Sequence, residues 1–230
     1  MIGRIRLALE RSRELKQLER DTQILPRPDP CELARLDSQK AVWRVPVPGQ
    51  ADRFMSVSSG GINQEMFVVQ VDTEALYKSW LSGSPAVRQK RSDDCVPRSK
   101  MPADYKYKHA VDGFAQGEKN PVPLADAGVY HKGKAVHVGF TNGITRTFWL
   151  IANRVPAFPI LVHGLESANL LHKVAGLGVG PKSLAELFAP AQRQSQQPTT
   201  PEPPAGTVRP VASKAQPRPA RPGPRRGRSL

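Results

Sequence analysis

The stretch VHVGFTNGITRTFWLIA, residues 136–152, decides the fold class of this chain. Its first five residues are apolar or β-forming and predict a strand, the Thr-Asn-Gly that follows predicts a turn, and residues 146–152 have the apolar content of a helix. Residues 158–162 then predict a returning strand. Such a strand–turn–helix–strand unit leaves backbone amides free at the start of the helix, where the helix dipole favours an anion.

The polar side chains of this unit form a candidate anion cradle. Gly143 removes the Cβ that would bar close approach of a phosphate, and Arg146 supplies a planar fork for two phosphate oxygens. An ordinary tight turn followed by a solvated arginine also accounts for the pattern, so both interpretations stay open. The residues predicted to bind a phosphate or nucleotide are Thr141, Asn142, Gly143, Thr145, Arg146 and Thr147.

Short elements on both sides of this unit complete an α+β domain. Strands are predicted at residues 42–47, 54–57 and 66–71, which are rich in β-formers and separated by turns. Asp72 or Thr73 is placed to cap a helix that runs through Trp80. Further helices are predicted at residues 165–175 and 181–188. We therefore expect a compact domain at residues 41–190, with a small mixed sheet and flanking helices.

Both termini differ in composition from this domain. Residues 5–18 predict a basic surface helix, and the prolines that follow make residues 21–40 a linker with a short helical turn around 32–36. Residues 191–230 are rich in Pro and Arg and poor in large apolar side chains, so they predict a disordered basic tail. Its arginines Arg225, Arg226 and Arg228 are candidates for salt-sensitive contacts with DNA phosphates.

The overall charge indicates an anionic partner. The 230 residues carry a formal net charge of +14, with a pI near 10.2, which favours DNA but leaves anionic lipid and acidic proteins open. The absence of a signal peptide and of a long apolar run predicts a cytoplasmic protein without membrane insertion. Cys31 and Cys95 lack metal-ligand spacing, and no metal site is predicted.

Two segments resemble a known superfamily. Residues 113–125, GFAQGEKNPVPLA, and residues 137–147, HVGFTNGITRT, resemble ParB/sulfiredoxin-like proteins, in which a Gly-x-x-Arg turn opens a helix and binds nucleotide phosphate. A finer match, through Ala-Asp-Tyr-Lys at 103–106, Asn-Pro-Val-Pro-Leu-Ala at 120–125 and residues 140–151, resembles the plasmid fertility-inhibition factors. The resemblance covers roughly residues 42–175.

The resemblance implies a ParB/sulfiredoxin-like fold, nucleotide hydrolysis and DNA cleavage. ATP or another nucleotide with Mg²⁺ is the cofactor it implies, although the residues alone leave open whether the chain is an enzyme at all. A sulfiredoxin would need a cysteine and a histidine where Ile144 and Thr145 stand, so reduction of a cysteine sulfinic acid is excluded.

Catalytic and DNA-binding residues are predicted near the same unit. Arg146 and Glu118 are the catalytic candidates, and Glu118 is placed ahead of Asp104, Asp112 and Asp126 because it lies in the loop before the Pro-Val strand. Lys106, Lys108 and Lys119, together with Tyr105 and Tyr107, predict a surface that follows a DNA backbone and stacks on bases. A plain solvated lysine face is the alternative.

Two functions are consistent with these predictions. The first is a plasmid-encoded fertility inhibition factor that blocks conjugative transfer of a co-resident plasmid through contacts with nucleotide or DNA phosphates. The alternative is a non-enzymatic protein that binds a conjugative coupling ATPase or a relaxosome component. The resemblance to the family indicates the biological role, whereas the chemistry of the residues supports phosphate binding alone.

Overall fold

Two mixed sheets carry the fold in the computed structural model, which describes residues 2–62, 64–84, 94–132 and 135–196. The first sheet has the strand order β1-β2-β3-β5. Its strands are β1 (Glu32–Leu36), β2 (Lys40–Val45), β3 (Arg53–Ser58) and β5 (Val122–Pro123). Strand β2 pairs antiparallel with both β1 and β3, and the short β5 runs parallel to β3 with Met55 opposite Val122.

The second sheet has five strands in the order β7-β6-β8-β4-β9. These are β4 (Met66–Asp72), β6 (Ala125–Lys132), β7 (Ala135–Asn142), β8 (Ala157–His163) and β9 (Lys182–Ser183). Strand β8 lies at the centre, parallel to β6 and antiparallel to β4, and every residue of β8 except His163 is buried. A continuous apolar run is what a strand covered on both faces requires.

In the part of the chain that the structure describes, six α-helices and three short 3₁₀ helices surround the sheets. The α-helices are α1 (Ile2–Ile24), α2 (Thr73–Gly83), α3 (Tyr107–Phe114), α4 (Ile144–Ala152), α5 (Leu165–Ala175) and α6 (Leu184–Gln196). The 3₁₀ helices are Ser59–Gly61, Arg98–Ala103 and Gly117–Lys119. The α+β class and the predicted strands and helices of the central region are therefore confirmed, with small shifts at their ends. The structure has two mixed sheets in place of the one small sheet expected, and Thr141 and Asn142, predicted as a turn, end β7.

Aromatic packing fixes α4 against its neighbours. The ring of Trp80 in α2 lies 4.6 Å from that of Phe140 in β7 and 5.2 Å from that of Phe148 in α4, measured between centroids. Phe114 of α3 stacks on Trp149 of α4 at 4.4 Å. Large buried aromatic pairs of this kind stabilise beyond the area they bury. The middle of α4 is consequently held against α2 and α3, and the same Trp80 ties α2 to β7.

The N-terminal region differs from its prediction in two respects. Helix α1 begins three residues before and ends six residues after the predicted residues 5–18. It packs on α2, and its Leu18 is buried, at 2% exposed. Arg11 of α1 donates to the carbonyls of Leu81 and Ser84, both at 2.6 Å, and so satisfies acceptors at the end of α2. The helical turn predicted at residues 32–36 is wrong, because these residues form β1 and pair with β2.

The C-terminal helix also extends further than its sequence pattern indicated. Helix α6 continues to Gln196 and thus enters the segment predicted as a disordered tail. Ser183 and Glu186 form a capping box at its start, since the Glu186 carboxylate accepts from the Ser183 hydroxyl and amide, at 2.8 and 3.0 Å. Arg225, Arg226 and Arg228 lie outside the described residues.

None of the helices in the described part of the chain combines the length and apolar character needed to span a bilayer. Cys31 and Cys95 are both buried as free thiols.

Candidate functional site

A cavity of about 510 Å³ opens beside the first turn of α4. Four segments form its wall: the start of α3 with the turn before it, the loop leading to β5, the end of β7 and the beginning of α4. Its volume lies within the range of small-molecule binding sites. The lining residues are Asp104, Tyr105, Lys106, His109, Ala110, Gly113, Gln116, Asn120, Pro121, Val122, Pro123, Thr141, Asn142, Gly143, Ile144, Thr145 and Arg146.

Gly143 is required by the local packing as well as by its backbone conformation. Its φ is +90°, in the left-handed region that L side chains rarely adopt. A Cβ on Gly143 would lie 2.8 Å from the Cα and Cβ of Ala125 and 2.9 Å from Nε of Arg146. The glycine therefore allows β6 and Arg146 to approach the turn closely, which is a different reason from the predicted approach of a phosphate.

Three residues at the start of α4 that line the cavity have backbone amides without a partner within the helix. The first amide of this helix with an intrahelical partner is that of Thr147, which donates to the carbonyl of Gly143 at 3.0 Å. Gly143 occupies the N-cap and has no side chain with which to satisfy the amides of the first turn. The residues that contribute these amides, Ile144, Thr145 and Arg146, all line the cavity. This end of the helix carries partial positive charge and suits an anion.

Arg146 lines the cavity, but much of its donor capacity is used within the protein. Its Nη1 donates to the carbonyls of Pro123 and Leu124 at 2.5 and 3.1 Å, and its Nη2 donates to Oδ1 of Asn142 at 3.3 Å. Burial lowers the pKa of the guanidinium from its usual value. The predicted fork for two phosphate oxygens is thus directed largely at β5 and its neighbour, and Arg146 acts as a brace for the cavity wall.

The three predicted threonines have different surroundings. Thr147 is fully buried, and its hydroxyl donates to the Gly143 carbonyl at 3.0 Å, so its prediction as a phosphate ligand is wrong in this geometry. Thr141 lines the cavity, although its hydroxyl donates to the Asp126 carbonyl at 3.3 Å. Thr145 is half-buried and lines the cavity. The structure therefore keeps Thr141 and Thr145 at the site and removes Thr147.

One of the three predicted DNA-binding lysines faces the cavity. Lys106 lines it and is exposed, with its ammonium 5.2 Å from the ring centroid of Tyr105, itself 84% exposed. Lys108 lies outside the cavity and pairs with Asp112 of the same helix at 2.8 Å. Lys119 is exposed on the 3₁₀ helix Gly117–Lys119 and does not line the cavity. Lys106 and Tyr105 together offer a cation and an aromatic surface at the cavity mouth.

The predicted catalytic carboxylate is displaced from the site. Glu118 is exposed on the 3₁₀ helix Gly117–Lys119 and does not line the cavity. Asp104 is the carboxylate that does, and its Oδ1 accepts from the backbone amide of Lys106 at 3.0 Å. Within the described ranges, no group of three or more His, Cys, Asp or Glu side chains is arranged to hold a metal ion.

Sequence reasoning missed the wall that α3 provides. His109, Gly113 and Gln116 all line the cavity, as does Lys106 at the start of the series. Their spacing of three and four residues places side chains on one face of a helix. This periodicity is visible in the sequence, and it would have selected Lys106 and His109 while leaving out Lys108.

Comparisons with known proteins identify the family. A family model described as "Plasmid Fertility inhibition factor" matches residues 68–176, which include every residue that lines the cavity. The curated protein "Protein osa" from Shigella flexneri is 38% identical over 138 residues, which are 60% of this chain and 70% of that protein.

A solved structure agrees with both matches. The crystal structure of Oncogenic Suppression Activity Protein, described as a plasmid fertility inhibition factor and solved as a gold(I) cyanide derivative, superposes with a TM-score of 0.68 at 33% identity. The match covers 83% of this chain and 96% of that one. The chain belongs to the plasmid fertility inhibition factor family.

Proposed function

We propose that this protein inhibits conjugative transfer of a co-resident plasmid from the cytoplasm, and that it does so by binding a phosphate group of a nucleotide or of DNA in the cavity beside α4. The observation that carries the proposal is that one space of about 510 Å³ is lined both by the first-turn residues of α4, whose amides have no capping side chain, and by the exposed Lys106. Amides at a helix start and a lysine together supply both hydrogen bonds and charge to an anion.

The charges around the cavity favour an anionic ligand. Lys106 and Arg146 contribute two positive charges, and Asp104 contributes one negative charge. Although the Arg146 fork is engaged with carbonyls, its charge still adds to the positive potential of the site. Tyr105 is positioned to stack on a base attached to the bound phosphate, as aromatic side chains do in proteins that bind single strands.

Hydrolysis of a nucleotide or of DNA at this cavity would depend on Asp104 and not on Glu118. Mg²⁺ is commonly held by one or two carboxylates together with substrate phosphates and water, and Asp104 is the carboxylate that lines the cavity. A bound magnesium ion would supply neutralisation of phosphate charge. Lys106 would hold the phosphate, and the α4 amides would orient it.

The second candidate function is docking to the conjugative transfer machinery without phosphate chemistry. The observation that favours it is that Arg146 spends its hydrogen bonds on the carbonyls of Pro123 and Leu124. In this role residues 141–143 and Arg146 stabilise the wall of a recess. A surface segment of a coupling ATPase or of a relaxosome component docks at that recess.

The test is the mating frequency of a conjugative plasmid in cells that express Lys106→Ala or the matched control Lys108→Ala. Both lysines are exposed and two residues apart, but Lys106 alone of the two lines the cavity. We expect Lys106→Ala to relieve inhibition and Lys108→Ala to retain it, at equal accumulation of both proteins. Arg146→Ala is less informative, because it also leaves the carbonyls of Pro123 and Leu124 without this hydrogen-bond donor.

Binding of a fluorescent ATP analogue and of a DNA oligonucleotide separates the two functions. Loss of a charge-assisted contact of about 1.5–3 kcal/mol weakens binding about 10- to 150-fold, so Lys106→Ala is expected to raise the Kd by that factor. If Lys106→Ala relieves mating inhibition while the wild-type protein binds neither the ATP analogue nor the oligonucleotide, docking is supported. Inhibition retained equally by both lysine variants would argue against phosphate binding through Lys106 and would leave docking as the function.

A further inference from the structure

A second concave surface lies between α1 and the 3₁₀ helix Arg98–Ala103, and we name it the α1 groove. It encloses about 1000 Å³ and shares no lining residue with the cavity beside α4. Helix α1 also lies outside residues 68–176, the part of the chain that matches the family model. The groove therefore offers a site whose ligand need not be that of the cavity.

A row of arginines runs along one wall of the α1 groove. Arg6, Arg13 and Arg20 line it at intervals of seven residues, so they occupy nearly the same helix face and span about 21 Å at 1.5 Å per residue. Arg6 and Arg13 are exposed and have no salt-bridge partner among the residues that the structure describes. Arg20 donates to the side chain of Gln17 at 2.6 Å.

The two carboxylates of the groove, Glu10 and Glu14, contact residues of the 3₁₀ helix Arg98–Ala103. Glu10 pairs with Lys100 at 3.8 Å and accepts from the hydroxyl of Ser99. Glu14 accepts from the backbone amide of Arg98 at 3.1 and 3.3 Å. The lining as a whole stays positive, because Arg6, Arg13 and Arg20 together with Lys100 outnumber Glu10 and Glu14 and leave a net charge of +2.

An apolar pair stands beside the arginines. Ile5 and Leu9 line the groove one helical turn apart and are 56% and 54% exposed. A sugar–phosphate backbone would not cover them with apolar atoms, whereas one helix face of a protein can place aliphatic side chains on such a pair and acidic ones on the flanking arginines. The combination favours a protein over a nucleic acid at this surface.

We propose that the α1 groove binds an acidic amphipathic helix of a partner protein, with leucine-type side chains against Ile5 and Leu9 and carboxylates against Arg6, Arg13 and Arg20. Charge complementarity speeds the encounter and fixes the orientation, and burial of the apolar pair adds affinity. This docking mode is independent of phosphate binding in the cavity beside α4.

The test is fluorescence anisotropy of a labelled synthetic peptide, three heptads long, with two leucines one turn apart and glutamates on the flanking faces. We expect the full-length chain to bind it, the triple variant Arg6→Glu/Arg13→Glu/Arg20→Glu to raise the Kd about tenfold or more, and Leu9→Ser to raise it several-fold. Lys16→Glu/Lys173→Glu/Lys182→Glu is the control, since it makes the same change in net charge with three exposed lysines outside the groove. The control is expected to keep most of the affinity.

Three outcomes would overturn the proposal. Equal binding of a peptide whose leucines are replaced by glutamine would reduce the interaction to non-specific attraction of charge. Equal weakening by the arginine and lysine triple variants would do the same. Binding of a DNA duplex that is lost in the arginine variant, with no binding of the peptide, would make the groove a nucleic-acid surface. Unchanged circular dichroism of both triple variants shows that they fold.

Discussion

Replacing Gly143 by alanine separates the cost of a left-handed backbone from the cost of crowding at the cavity. At φ +90° an L side chain costs about 1–2 kcal/mol. The added Cβ would also lie 2.8 Å from Ala125, well inside normal van der Waals contact, and overpacking of this kind costs about 1–3 kcal/mol. The free energy of unfolding is therefore expected to fall by about 2–5 kcal/mol in Gly143→Ala.

Two other glycines provide matched controls. Gly49 and Gly117 have φ of +70° and +65°, and a Cβ built at either position meets nothing within 4 Å. In their alanine variants the free energy of unfolding is expected to fall by the cost of the left-handed backbone alone, about 1–2 kcal/mol. With a slope of about 2 kcal/mol per molar urea, the unfolding midpoint is expected to fall by about 1–2.5 M in Gly143→Ala and by about 0.5–1 M in the controls.

Urea unfolding followed by tryptophan fluorescence measures all three variants under the same conditions. A loss of unfolding free energy in Gly143→Ala within about 0.5 kcal/mol of that in the two controls would show that crowding at Ala125 costs nothing, since independent substitutions compare to about that precision. That result would mean that Ala125 and Arg146 move aside without cost. The close approach of β6 to the start of α4 would then not be what requires the glycine.

Two further predictions concern titrating groups. Burial raises the pKa of Cys31 to about 12 and that of Cys95 well above its ordinary value. Neither thiol is therefore expected to react with iodoacetamide at mildly alkaline pH until the protein is unfolded by guanidinium. Equal labelling of the folded and unfolded protein would contradict this. The hydrogen bonds from Ser183 lower the pKa of Glu186 below its usual 4.5, so the stabilisation that it contributes is present at neutral pH and is lost as the pH falls through the lowered pKa. The stability difference between wild type and Glu186→Gln, followed by thermal unfolding over a pH series, is expected to shrink in acid, and a constant difference would argue against the capping box.

The central part of the fold was predictable because local signals there agree with one another. Asp72 precedes a helix and accepts from the amides of Glu74 and Ala75, as its position in the sequence indicates. The apolar run of β8 has no amphipathic alternation, and the structure buries it between two strands. Where propensity, capping and apolar pattern favour the same element, sequence reasoning placed it correctly.

Strand β1 shows where such reasoning fails. Glu-Leu-Ala-Arg-Leu at 32–36 consists of residues with good helix propensity, and it forms a strand because β2 supplies hydrogen-bonding partners across a hairpin. A five-residue segment has little intrinsic preference to set against that pairing. Its conformation is therefore decided by a neighbour that local sequence patterns do not specify.

Only part of the candidate site could be predicted, because contacts between residues distant in the sequence decide the rest. Local sequence singled out Thr141–Gly143 and the start of α4, and they do line a cavity, although Thr141 and Asn142 end β7 instead of forming the predicted turn. Glu118 was selected by its position along the chain, and the structure places it on the exposed face of a 3₁₀ helix away from that cavity. The partners of Arg146 are about 22 residues earlier in the sequence, so its side-chain hydrogen bonds depend on tertiary structure.

The passage of the chain from β5 into β6 couples the cavity to the joint between the two sheets. Pro123 pairs in the first sheet and Ala125 in the second, so the chain changes sheets within three residues, and Arg146 holds the carbonyls of Pro123 and Leu124 at the crossing. An anion that attracts the guanidinium must compete with those charge-assisted hydrogen bonds, each worth about 1.5–3 kcal/mol. By thermodynamic reciprocity, any partner that loosens the crossing strengthens anion binding, and any anion that captures Arg146 loosens the crossing.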